Sequence, residues 1–280
     1  TRFSTVTGVQ TCALPILDWA PLFIANGFYK NRTHFNDSHI VWDAHATYPR
    51  IKRYFNTSRL DACRARVCVY MEVERVGTRR TEDVVVGYDK ELYDETTKRK
   101  WHPYKQEPLA NAGALCSVQR QIVNRSSARV ETAKELMGRH PRMIVFYTFN
   151  SELELLREAA ESIGRTVYER NGEVHDPVPD TEGSWVYLVQ YLSADAWNCI
   201  STNVCLFYSL PYSWRQLEQA YGRIDRMNQV TSDLLYYRLL STASIDTAID
   251  KVLARKGTFN VNTYASSQGF KDEQKGPMTK

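Results

Sequence analysis

Eight residues in the last quarter of the chain, "QAYGRIDR" (Gln219 to Arg226), carry side chains suited to phosphate chemistry. If the segment is helical, Gln219, Arg223 and Arg226 fall at i, i+4 and i+7 and share one face. Two guanidinium groups on one rigid face match the oxygens of a phosphate chain, because each is planar, always charged and able to bond bidentately. Gly222 lies just before Arg223. A glycine inside a helix costs about 1 kcal/mol relative to alanine, so one here points to a close approach by another group. The same spacing also fits a solvated basic helix in which Asp225 pairs with a neighbouring arginine. Spacing alone leaves both readings open.

The surrounding pattern supplies the elements that must position these residues. "NVCLFYS" reads as a strand, and "SWRQLEQAYGRIDRM" as a helix with a capping box of Ser213 and Gln216. A helix that follows a strand can bring its face near the carboxyl edge of a sheet, where open α/β folds bind ligands. Upstream, "ALCSVQRQIVN" and "SSARVETAKELMGRHP" read as helices, the second with Gly138 just past its end and Pro141 as a stop. Then come a strand, "RMIVFYTF", and a helix, "NSELELLREAAESIG", with a capping box of Ser151 and Glu154. "RTVYER" and "WVYLVQY" are strands separated by a polar loop, and "ADAWNCI" is a turn. After the strand "DLLYYRLL", the helix "SIDTAIDKVLARKG" places Ile245, Ala248, Ile249, Val252 and Leu253 on one stripe and ends at Gly257. Strands alternating with helices predict a parallel sheet covered on both faces.

Ahead of this region the pattern is mixed. "SRLDACRARVCVYM" starts from a serine cap as a helix and turns β-branched, "TEDVVVGYD" reads as a strand, and "KELYDETTKRKW" as a charged helix. From Leu17 to about Lys105 there is no regular alternation and no whole domain. The last residues, 262–280, are polar and expected to be disordered.

Composition excludes several classes. The chain has 280 residues, 43% hydrophobic and 24% charged, which is ordinary for a globular protein. A formal charge of +4 is too mild to mark a nucleic-acid binder by itself. The six cysteines form no CxxC pair and read as reduced thiols of a cytosolic protein. His175 reads as a loop residue rather than a ligand. No apolar run reaches membrane-spanning length, since Asp18, two prolines and a glycine interrupt "CALPILDWAPLFIANGF". No secretory signal pattern is visible.

The pattern Q-x-x-G-R-x-x-R at Gln219–Arg226 resembles motif VI of superfamily 2 helicases and translocases. "SSARVETAKELMGRHPRMIVFYTFNSELELL" resembles the entry to their second RecA-like lobe, with motif IV. "WVYLVQYLSADAWNCISTNVCLFYSLPYS" resembles motif V and the strand after it. "DLLYYRLLSTASIDTAIDKVLARKGTFN" is similar to the closing strand and helix of that lobe in phage-encoded DEAD/DEAH-type and Swi/Snf-like enzymes. "FIANGFYKNRTHF" and "YPRIKRYFNTSRLDACRARVCVYM" resemble the tail of the first lobe. The likeness runs from Leu17 to Asn260. It implies an α/β fold, a RecA-like parallel sheet flanked by helices, preceded by an incomplete remnant of the first lobe. The implied boundaries are a first-lobe remnant over 17–105, a second lobe over 106–261 and a tail beyond.

In that family ATP lies between the two lobes. The resemblance implies that Arg226 is an arginine finger on the γ-phosphate, that Arg223 is its partner, and that Gln219 orients the arginines or the attacking water. It places Gly222, Asp195 and Asn198 at the nucleotide. Motif V here reads Ala194, Asp195, Ala196, Trp197, Asn198, with alanines and an Asp where relatives carry glycines and a Glu. The resemblance also implies contacts from Thr148, Asn150, Ser151, Gln190, Tyr191 and Ser193 to the sugar-phosphate backbone of nucleic acid. Helix capping explains the first three equally well, and Tyr191 and Trp197 serve equally as core aromatics. Backbone contacts carry no sequence information.

Neither a GxxxxGK[ST] phosphate loop nor a DExH or DEAD motif occurs, and "WDAHAT" does not replace them. ATP and Mg²⁺ are therefore expected as cofactors of an intact parent, with the Mg²⁺ ligands outside this chain, which alone should not hydrolyse ATP. The expected partners are nucleic acid, DNA ahead of RNA, and the missing first lobe, with no membrane, in the cytoplasm of a phage-infected or bacterial host. The alternatives are a stand-alone, non-catalytic nucleic-acid-binding module and the motor fragment of a restriction enzyme. Finally, "VTGVQTCALPI" (6–16) back-translates in frame to a sequence resembling a widely used short-read sequencing adapter. Residues 1–16 are thus expected to be non-native and to stay out of the core sheet.

Overall fold

The computed structural model describes residues 16–44, 51–69, 78–194, 197–226, 229, 231 and 233–270. The chain divides into two compact units, 1–74 and 75–280. The adapter-like stretch lies outside the described residues except for Ile16.

In the first unit a 3₁₀ turn, Ile16–Trp19, leads into α1 (Ala20–Ala25), α2 (Arg32–His39), β1 (Ile40–Trp42), β2 (Ile51–Tyr54) and α3 (Thr57–Val67). Helix α1 stops at Asn26-Gly27, where Gly27 takes a φ of +76° that side chains resist. Asn31 caps α2 by accepting the His34 N–H at 2.8 Å. Helix α3 begins at Thr57, so Ser58 lies inside it and is not the expected cap. Trp19, Phe23, Tyr29, Phe35, Leu60 and Cys63 form the core of this unit.

The second unit contains β3 (Thr78–Val85), α4 (Lys90–Arg99), β4 (Trp101–His102), β5 (Glu107–Pro108), α5 (Ala112–Asn124), α6 (Ser127–Arg139), β6 (Arg142–Tyr147), α7 (Asn150–Glu161), β7 (Thr166–Arg170), β8 (Trp185–Gln190), β9 (Val204–Phe207), α8 (Trp214–Tyr221), β10 (Asp233–Leu240), α9 (Ser244–Ala254) and α10 (Val261–Ser267). Six strands form one parallel sheet in the order β3-β10-β9-β6-β8-β7. Alternate residues serve opposite faces. Ile144, Phe146, Tyr187 and Phe207 pack with α5, α8 and α9 on one side. Met143, Val145, Leu188 and Leu206 pack with α6 and α7 on the other. Each such side chain, fully buried, is worth roughly 1.5–3 kcal/mol.

Several local expectations change. Strand β3 and helix α4 fall within the region read as a first-lobe remnant, yet β3 pairs along its whole length with β10, from Thr78–Asp233 to Val85–Leu240. By compactness the units divide at 74/75, whereas the resemblance draws its boundary at 105/106. Gly138 is inside α6, which ends at the extended residue His140. The capping boxes at Ser151 and Ser213 do not form, as neither α7 nor α8 has a side-chain cap. Lys256 (φ +57°), not Gly257, takes the left-handed conformation after α9. Gly257 is held by space instead: a Cβ there would lie 3.1 Å from Val252 Cγ1. Part of the expected disordered tail is ordered, since α10 and Phe270 pack into the core; 271–280 lie outside the described residues.

Candidate functional site

Helix α8 ends at Tyr221, and residues 222–224 form a turn. Gln219, Arg223 and Arg226 therefore do not share a helix face. The topology gives the reason. A helix joining two parallel strands must run back across the sheet, so α8 starts at the carboxyl edge, after β9, and ends toward the amino edge, where β10 begins. The turn lies at that amino edge and not at the carboxyl edge expected from sequence. Arg79, the second residue of β3, marks the place: its Nε donates to Asp225 Oδ2 at 2.6 Å and its Nη1 to Glu218 Oε1 at 3.2 Å.

Arg223, in the turn, and Arg226, just after it, differ. Arg223 is buried, donates to the carbonyls of Gln219 (3.0 Å) and Trp197, and stacks 5.8 Å from the Trp197 ring. Arg226 is half-buried, and among the described residues its buried Nε has no hydrogen-bond partner. Burial lowers its pKa, and Asp225 works in the opposite direction. Gly222 has a φ of −69°, and the nearest atoms to a side chain there would be the Gln219 and Glu218 carbonyl oxygens at 3.5 Å, an ordinary contact. No group crowds this glycine, contrary to expectation. Gln229, which sequence reasoning missed, pins the turn by donating to Thr202 O (3.0 Å) and Ile224 O (3.2 Å).

The candidates for nucleic-acid contact lie at the carboxyl edge, where β6 and β8 end. Gln190 Nε2 donates to Thr148 O and to Asn150 Oδ1, both at 3.2 Å, which brings those three residues together. Asn150 is exposed, and Ser151, Gln190 and Ser193 are half-buried. Tyr191 is not available to a ligand. It is 4% exposed, stacks on Phe146 and Phe207, donates to Ser209 O at 3.0 Å, and has its pKa pushed far up by burial. Trp197 is likewise buried, with its Nε1 donating to Ser193 O at 3.2 Å. Asn198 is exposed, and Asp195 lies outside the described residues.

Beneath this edge is a buried polar network that the sequence did not reveal. Glu152 accepts the Thr148 N–H at 2.9 Å, Asn124 Nδ2 at 2.6 Å and the Ser209 hydroxyl at 2.7 Å. Arg120 is fully buried, donates to Leu210 O at 2.7 Å, and sits 5.0 Å from the Phe149 and Tyr212 rings. It ties the loop after β9 to the loop after β6. The available signal was a Gln-Arg pair and an Asn within the apolar helix "ALCSVQRQIVN". Among the described residues no group of three or more His, Cys, Asp or Glu side chains is placed to hold a metal.

The architecture has a counterpart among solved structures. The C-terminal part of the Fun30 ATPase domain is similar to this chain with a TM-score of 0.51 at 10% identity, over 69% of this chain and 95% of that one. The fold is that of a RecA-like lobe. No protein-family model matches the chain, and no curated protein matches it. Among the described residues no helix is long and apolar enough to cross a membrane.

Proposed function

We propose that the chain is the C-terminal part of an ATP-dependent helicase or translocase. In this reading unit 2 supplies Arg226 to ATP held mainly by another RecA-like lobe. The observation that carries the reading is the Arg226 guanidinium, whose buried Nε lacks a partner among the described residues, beside a turn fixed by Arg79, Arg223 and Gln229. A phosphate oxygen would satisfy that donor and restore the solvation lost on burial. Neutralising charge that develops during phosphoryl transfer is worth about 10³ to 10⁵ in rate for such arginines. Arg223 braces the turn, and Gln219 contributes the carbonyl that Arg223 bonds. The described donor set does not fit Mg²⁺, so the metal is assigned to the other lobe and no step is routed through it here. At the carboxyl edge Thr148, Asn150, Ser151, Gln190 and Ser193 meet the sugar-phosphate backbone, with DNA as the favoured partner.

The chain joined to a first lobe bearing the phosphate loop and acidic motif should hydrolyse ATP with nucleic-acid stimulation. Arg226→Ala should abolish turnover there and largely spare ATP binding. Full turnover in that variant would remove Arg226 from the mechanism.

A further inference from the structure

The exposed large aromatic side chains of unit 2, among the described residues, are Trp101 (39%) and Tyr104 (45%), and both lie in one small hairpin. Strands β4 and β5 pair antiparallel, Trp101 with Pro108 and His102 with Glu107. The turn between them is stiff. His102 is buried, and its Nδ1 accepts the backbone N–H groups of Tyr104 and Lys105 at 3.3 Å each. Gln106 N–H reaches His102 O at 2.9 Å, and Gln106 Nε2 reaches Pro103 O at 2.5 Å. The base of the hairpin is anchored where Leu109 enters the core and its N–H bonds Lys100 O at 2.8 Å. The rings are therefore held out on a rigid support, although exposing them forgoes burial that would stabilise the fold.

The local charge matches an anion. The run "KRKWHPYK" (98–105) interleaves Lys98, Arg99, Lys100 and Lys105 with the two aromatics. Arg125 adds its guanidinium 5.3 Å over the Tyr104 ring. Of the carboxylates nearby, Glu95 on Arg99 (3.0 Å) and Glu107 on Lys105 (3.9 Å) make exposed pairs of little strength, and the charge of Asp89 at Tyr104 is opposed by Arg125. Location matters as well. Arg125 directly follows Asn124, whose side chain bonds Glu152, which in turn holds the Thr148 N–H. The hairpin thus stands beside the carboxyl edge of the sheet.

We propose that the Trp101–Pro108 hairpin is a stacking platform for an unpaired nucleic-acid strand, with Lys98, Lys105 and Arg125 meeting its phosphates. Every base has a π-face, so exposed rings accept any sequence, and the cations follow the backbone. A duplex keeps its bases stacked internally and gains nothing from the rings. The proposal rests on reading the adjoining sheet edge as a nucleic-acid contact.

Binding of the full chain to a fluorescein-labelled oligothymidylate and to a labelled duplex, followed by anisotropy, tests both readings separately. Trp101→Ala and Tyr104→Ala should each weaken single-strand binding about tenfold and leave duplex binding unchanged. Tyr104→Phe, which keeps the ring, should bind as the wild type does. Arg125→Gln should lower the salt dependence by about one phosphate contact. Unchanged melting curves would show that these exposed substitutions leave the fold intact. If the alanine variants bind as the wild type while Asn150→Asp weakens binding, the platform falls and the sheet-edge contact stands. If the alanine variants weaken binding and Asn150→Asp does not, the platform stands and the sheet-edge contact falls. If the intact chain binds neither probe at low salt, both fall.

Discussion

Two arginines compete for one carboxylate at the turn after α8. Asp225 is the sequence neighbour of Arg226, and its charge favours the protonated form of that group. Yet its Oδ2 lies 2.6 Å from Nε of Arg79. Arg79 also holds Glu218 and stacks 5.5 Å from the Tyr221 ring. Burial works against the Arg79 charge, but Glu218 and Asp225 overcome it and its pKa is raised. By engaging Asp225, Arg79 leaves Arg226 available to an incoming anion. Replacing Arg79 by Met should let Asp225 close on Arg226. Phenylglyoxal attacks the deprotonated guanidine, so labelling of Arg226, read by peptide mass mapping, should slow several-fold. Adding Asp225→Asn should restore it, and equal labelling in wild type and Arg79→Met would count against this role. An Asp225–arginine pair was legible in the sequence, but its partner was not. Local spacing points to neighbours on one helix, whereas Arg79 is 146 positions away and meets Asp225 only because β3 pairs with β10.

At the scale of elements, the central strands were the easiest to read. β6, β8, β9 and β10 are apolar almost throughout because both faces are covered. The end of α8 carried one signal, Gly222, which is its C-cap residue, but a lone glycine does not forbid helix, and the stop is set by the need to reach β10. The junction of α2 and β1 shows another contact hidden from sequence. His39 is fully buried, with Nδ1 3.1 Å from Phe55 O and Nε2 2.5 Å from Tyr29 OH. A carbonyl only accepts, so Nδ1 carries the proton and Nε2 accepts from the tyrosine. Burial lowers the His39 pKa against the opposing Phe55 bond. The unfolded chain, with a histidine pKa of about 6.5, then binds the proton more readily than the folded one. The stability due to neutral His39 is full above that value and is lost as pH falls toward the lower folded value. His102 and His140 are lowered by burial too and act in the same direction. The melting temperature should therefore fall between about pH 7.5 and about pH 5.5, and His39→Gln should reduce the fall. An identical pH dependence in that variant would exclude His39 as a contributor.

At the scale of the molecule, the sequence located the sheet but not its outer strand. "TEDVVVGYD" was legible as a strand, yet polar Thr78–Asp83 gives no sign that it completes the same sheet as the apolar "DLLYYRLL". What joins them is spread along the chain. Eight residues of β3 pair in register with β10, Arg238 grips Asp83 through two bonds of 2.5 and 2.6 Å, and Tyr93 and Leu109 fill the core beneath. The boundary at 106 suggested by the helicase resemblance and the boundary at 75 given by compactness make opposite predictions for truncated chains. A chain starting at 75 keeps every one of these contacts, so it should be soluble and monomeric and melt cooperatively. A chain starting at 106 exposes the backbone of β10 as a long, apolar edge strand, a template for pairing with other chains. It also leaves the carboxylates Glu218 and Asp225 without Arg79. That chain should aggregate, or form dimers through β10. Size-exclusion chromatography and thermal unfolding of the two truncations decide between the boundaries. A well-behaved monomer starting at 106, with the melting temperature of the longer one, would mean that β3 decorates the lobe rather than completing it.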